Sequence, residues 1–156
     1  MSSRVQCVVN MCGPQDFTKP LMFDKEGKPV VDDEAVVGLL GGTYEAKHAE
    51  AVAASPLTYV SKDDPPFINI QGTADQRVDY ANSKAIQAAL TKVGVPTLLL
   101  PITGGGHGSV NHPEAYKRGK QFVDKYLRGI DSQIDVTPLT ALPAAKKPDT
   151  VTAPAK

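Results

Sequence analysis

Asp75 and His107 are the two residues whose type and placement suggest chemistry, because each follows a short apolar run by only a few positions in a chain of 156 residues. Asp75 lies in "GTADQRV", three positions after Gly72, and His107 lies in "GGGHG", behind the run "VPTLLLPI". The separation of 32 positions between them (107 minus 75) is filled by one helix pattern and one strand pattern, a single crossover of a parallel sheet. Loops that follow successive parallel strands share the carboxyl edge, where such folds bind ligands. An aspartate there can hold one ring nitrogen of His107 and stabilise the imidazolium, leaving the other nitrogen as a general base. Those are the acid and the base of a nucleophilic triad.

The other candidates are weaker. His48, in "AKHAEA", belongs to a charged helical stretch and reads as solvated; His112 precedes Pro113 at a helix start, where the dipole disfavours a charged imidazole. Cys7 and Cys12 fit neither a multi-bridge disulfide framework nor paired CxxC zinc spacing, and read as two small buried hydrophobes. "TGGGHGS" lacks the Lys of a phosphate-cradling GxxxxGK[ST] loop and does not fit GxGxxG. The acids of "DKEGKPVVDDE" and "SKDDPP" do not follow the calcium-loop pattern, so no metal and no cofactor is expected. No serine has glycines two positions before and after it; the nearest in context, Ser109, has His107 and Asn111 there.

These residues need elements to position them. "RVQCVVN", Arg4 to Asn10, is an apolar β-branched run without clean alternation, which predicts a strand covered on both faces. Residues 17–60 form an excursion with turn chemistry at "DKEGKP" and helical pieces over Asp33 to Leu40 and Tyr44 to Ala54. Pro66 to Gly72 and Val95 to Ile102 are the second and third strands. Between them "VDYANSKAIQAALTKVG" predicts a helix with Ile86, Ala89, Leu90 and Val93 on one face and Gly94 just past its end. "HPEAYKRGKQFVDKYLRG" predicts a last helix with Pro113 in its first turn and Phe122, Val123, Tyr126 and Leu127 as the buried stripe. The order is that of an α/β fold with about three parallel strands and flanking helices. From Asp131 the chain is rich in Pro, Ala, Thr and Lys without apolar period, which predicts a disordered tail over 131–156.

Lys and Arg number 17 against 17 Asp and Glu, and no basic cluster interleaves with aromatics, so nucleic acid is not an expected partner. No apolar run reaches the roughly 20 residues of a membrane span, and "MSSRVQCVVNMCG" is too interrupted for a signal-peptide core.

Three stretches in order carry a resemblance: "SSRVQCVVNMCGPQDF", "ASPLTYVSKDDPPFINIQGTADQRV" and "GGGHGS". Over Ser2 to about Arg128 the sequence resembles the carboxyl-terminal half of an α/β-hydrolase, of the carboxylesterase type related to the hormone-sensitive-lipase and feruloyl-esterase branches, or of the prolyl-oligopeptidase-like serine hydrolases. The resemblance implies that "RVQCVVN" is the fold's sixth strand, Asp75 the triad acid after the seventh and His107 the base after the eighth. It makes residues 1–130 the last part of a hydrolase domain. The family's GxSxG nucleophile elbow and HGGG-type oxyanion loop, which lie upstream of this region, are absent from the 156 residues. The implied product is therefore a truncated form, a fragment contributing acid and base to hydrolysis of a small-molecule ester or a peptide and inactive by itself. The alternative is a non-catalytic or partner-completed half-domain that self-associates or pairs through the exposed edge of its first strand.

Overall fold

The structure, a computed structural model, describes residues 4–24 and 26–143. Four parallel strands form one sheet in the order β1-β2-β3-β4: β1 is Val8–Met11, β2 Phe67–Gly72, β3 Thr97–Thr103 and β4 Leu139–Thr140. Val8 to Met11 lie opposite Phe67 to Ile70, and Phe67 to Gly72 lie opposite Thr97 to Ile102. The register brings β2 and β3 to an end together, at Gly72 and Ile102, so the loops carrying Asp75 and His107 leave the same edge side by side.

Alternation along β2 divides its side chains between two cores. Ile68 and Ile70 join Leu100, Ile102, Ala115 and Phe122, all at 0% exposure, beneath α4 (Pro113–Arg128). Phe67 points the other way, against Ile86, Leu90 and Val95 beneath α3 (Ala81–Lys92). Each fully buried Ile or Phe contributes about 1.5–3 kcal/mol, which makes the central strand the most firmly held part of the sheet. Gly94, with φ 80°, ends α3 where the sequence places it.

The excursion builds a third cluster from Leu21, Val36, Leu40, Tyr44 and Ala51, using α1 (Glu34–Leu40) and α2 (His48–Ala54). Asp33 caps α1 by accepting from the amides of Ala35 and Val36, both at 3.1 Å. α2 starts at His48 rather than Tyr44, since residues 44–47 form turns that drop the Tyr44 ring into this cluster. The excursion is fastened to α3, whose Asn82 Oδ1 accepts from the Gln15 and Asp16 amides at 3.0 and 3.1 Å.

Three expectations change. β1 begins at Val8, not Arg4, and all four of its residues are only half-buried, because among the described residues it pairs with β2 alone and lies at the edge of the sheet. The buried stripe of α4 runs through Ala115, Arg118, Gly119 and Phe122, which turns Leu127 outward at 57% exposure. To the about three parallel strands expected, the described residues add a short fourth, β4. Residues 131–143 are not a disordered tail: Ile134, Leu139 and Ala141 pack on the main core, β4 pairs with β3, and buried Arg118 donates to the Thr137 carbonyl at 2.8 Å and pairs with Asp135 at 3.0 Å. Three apolar anchors and one arginine hold this segment without any helical or alternating period, so no pattern marked it in the sequence. The tail expected over 144–156 lies outside the described residues. Among the described residues no helix is long and apolar enough to cross a membrane.

Candidate active site

Two glycines let the strand-end loops touch. A Cβ on Gly72 would overlap the Gly105 carbonyl, and one on Gly105 would overlap the Ser109 side chain. In their absence the Ala74 amide donates to the Gly105 carbonyl at 2.9 Å, and the Gly104 amide to Thr73 Oγ1 at 3.0 Å. Gly104, at φ 71°, makes the bend that leads into the His107–Asn111 turn of 3-10 helix.

That clasp sets Asp75 against His107. His107 Nδ1 lies 3.0 Å from Asp75 Oδ2; the carboxylate side chain is fully buried, whereas the imidazole is 41% exposed. Asp75 Oδ1 accepts from the Arg77 and Val78 amides at 2.9 and 3.1 Å, and Oδ2 also faces Gln71 Nε2 at 3.3 Å. Gln71 is locked in turn: its Nε2 donates to the Val78 carbonyl at 2.5 Å and its Oε1 accepts from Ser83 Oγ at 2.6 Å. Four donors therefore converge on one carboxylate. An acceptor so placed requires a hydrogen on Nδ1 and leaves the lone pair of the neutral ring on Nε2.

Nε2 faces a residue that sequence reasoning treated as core filling. Cys12 Sγ lies 3.8 Å from His107 Nε2 and 3.7 Å from the His107 carbonyl oxygen. The Cys12 amide donates to Ile70 O at 3.0 Å, and at φ 51° this is the one non-glycine residue with positive φ among the described residues. The turn is closed by Asn10 Oδ1, which accepts from the Gly13 amide at 3.1 Å. Burial, with the Asp75 charge adding to it, pushes the Cys12 thiol up to about 11. Cys7, by contrast, is half-buried against the main core.

Cys12, Asp75 and His107 each bring a ligand-type atom within 4.8 Å of the others. A closed structural zinc site needs four protein ligands, whereas here both carboxylate oxygens are taken by donors. The arrangement is suited to passing a proton to and from Nε2 while the carboxylate holds the Nδ1 side of the ring. A groove of ≈ 430 Å³ opens over it, with Cys12 and His107 among apolar walls that include Phe17, Leu21, Val36 and Val78.

The other sequence candidates stay outside. His48 is exposed on α2. His112 caps α4, its Nδ1 accepting from the Glu114 amide at 3.1 Å. Ser109 Oγ donates to the Gly106 carbonyl at 2.6 Å. Gln71, Ser83 and Cys12 were missed, and only the position of Gln71 one residue before the strand-ending glycine offered any signal.

An open parallel sheet with helices on both faces and an Asp and a His after successive strands, in that order, defines an α/β-hydrolase, of which this chain spans a part. Residues 1–90 match the BD-FAE family profile, and the chain belongs to that family. Esterase LipQ of Mycobacterium tuberculosis is 44% identical over 46 residues, 30% of this chain and 11% of its own length. A truncated form of a carbohydrate esterase from gut microbiota superposes with TM-score 0.64 at 25% identity, over 81% of this chain and 43% of that one. The acylaminoacyl peptidase of Pyrococcus horikoshii shares the fold, with TM-score 0.68 at 20% identity over 87% of this chain and 22% of its own. The chain thus spans less than half the length of each of these relatives.

Proposed function

We propose that Asp75 and His107 are the acid and base of a carboxylic-ester hydrolase whose serine nucleophile and oxyanion donors come from polypeptide outside these 156 residues. The observation that carries this reading is the 3.0 Å contact between His107 Nδ1 and a buried, multiply bonded Asp75. With Nδ1 fixed, Nε2 takes the proton of an incoming serine hydroxyl as its oxygen attacks the ester carbonyl. The imidazolium then returns that proton to the departing alcohol, and water repeats the sequence on the acyl-serine. The open edge of β1 is the surface on which the nucleophile-bearing segment pairs, since an unpaired strand next to the site is a template for another strand.

The test is complementation. The chain is co-purified with a hydrolase segment that carries GxSxG and the preceding strands, and turnover of a short-chain nitrophenyl ester is followed. Turnover that appears only in the complex, and drops at least a hundredfold in His107→Ala and Asp75→Asn, is expected. A fluorophosphonate-labelled serine in the chain alone, or a complex indifferent to His107→Ala, overturns the reading.

A further inference from the structure

We infer that Cys12 is a nucleophile in its own right: a thiol served by the Asp75–His107 pair, which takes the acyl group of an ester bound in the groove above it. The inference rests on the reading of His107 as a base. Four observations converge on Cys12. Its sulfur stands 3.8 Å from Nε2, within reach of an S–H···N bond, while Nδ1 of the same ring is engaged by Asp75. Nucleophile, base and orienting acid in hydrogen-bond sequence are the signature of an activated nucleophile, and such contacts are often loose before substrate binds. Cys12 also carries the left-handed φ of 51° at the end of a strand, a conformation an L side chain rarely adopts and one that clusters at reacting groups. It lies on the carboxyl edge of the sheet, as do Asp75 and His107. Finally, Cys12 and His107 line the same ≈ 430 Å³ groove, whose apolar walls suit an acyl chain.

The chemistry balances within the chain and its substrate. As the Sγ–carbon bond forms, the thiol proton passes to Nε2; the carbon–oxygen bond to the alcohol breaks, and the leaving oxygen takes that proton. Cys12 is left as a thioester. Water then attacks its carbonyl and yields a proton to Nε2, the sulfur departs, and the proton returns to it. A thiol that rests protonated needs such a base, and the buried site supplies one. Without the family's oxyanion loop both halves are slow; with an ester of a good leaving alcohol the attack of water on the thioester is the slower of the two, and the thioester accumulates.

The experiment uses the whole chain alone with 4-nitrophenyl acetate at neutral pH. One equivalent of nitrophenol is released in a burst, and peptide mass mapping finds acetyl on Cys12 and not on Cys7. His107→Asn slows Cys12 acetylation at least tenfold and shifts its onset to alkaline pH, where hydroxide removes the thiol proton; Cys12→Ser abolishes thioester formation. Circular dichroism of both variants establishes that they fold. Equal labelling of Cys7, no acetyl on Cys12, or a rate unchanged in folded His107→Asn overturns the proposal. Its failure leaves His107-dependent turnover of the complemented hydrolase intact, whereas failure of the base assignment removes His107 dependence from both experiments.

Discussion

Ser83, on α3, donates to Gln71 Oε1 at 2.6 Å, and through that amide a helix on one face of the sheet fixes the carboxylate that holds His107. Both residues are at 0% exposure. Gln71→Leu removes one of the four donors to Asp75 and takes from the Val78 carbonyl its Gln71 donor, at a cost of about 1–3 kcal/mol. Ser83→Ala costs about 1 kcal/mol. Urea unfolding measures both, and in the complemented hydrolase each lowers kcat with KM nearly unchanged. A lowered affinity at constant kcat contradicts a positioning role.

Gly72→Ala tests the clasp between strand ends. The new Cβ meets the Gly105 carbonyl, and relieving that overlap costs about 1–3 kcal/mol. The His107 loop moves away from Asp75, so both thermal stability and the protected Nδ1 proton signal decline together. Gly108→Ala, with open space around its Cβ, is the control and leaves both unchanged.

Asp75 and His107 were legible because each follows directly on a β-type run, so local pattern and parallel topology together place them. Cys12 was not legible. Its meeting with His107 spans 95 residues and depends on one left-handed turn that the string "NMCGP" does not announce. Gln71, Asn82 and Ser83 are polar residues on buried faces, and their partners lie on other elements. β4 is two residues long and preceded by a proline, below the length at which alternation can be read.

Arg118→Ala releases the carboxyl-terminal segment. The guanidinium is buried and bonds Glu114, Asp135 and the Thr137 carbonyl, so its loss costs about 1–3 kcal/mol. Hydrogen exchange should show the Ala141 amide, bonded to Thr103 O at 3.1 Å, losing protection while β2 keeps its own. Retained protection at Ala141 contradicts the anchoring role.

The Cys12 thiol makes stability sensitive to alkali. Burial first, and the Asp75 charge second, raise it from the ordinary 9.0 to about 11 in the folded chain. A raised value favours the protonated form on folding, so this contribution is complete below pH 9 and is lost as pH rises toward 11. The urea midpoint of the wild type therefore falls faster than that of Cys12→Ser over this window. Parallel curves contradict a buried, charge-adjacent thiol.

The central claim is that buried Asp75 fixes the His107 ring so that Nε2 is the free base. Nitrogen NMR of the neutral His107 imidazole measures this directly, through long-range couplings that tell a protonated from a bare ring nitrogen. The account predicts the proton on Nδ1 in the wild type and a mixture of tautomers in Asp75→Ala. A wild-type ring protonated on Nε2, or one unaffected by Asp75→Ala, would contradict it.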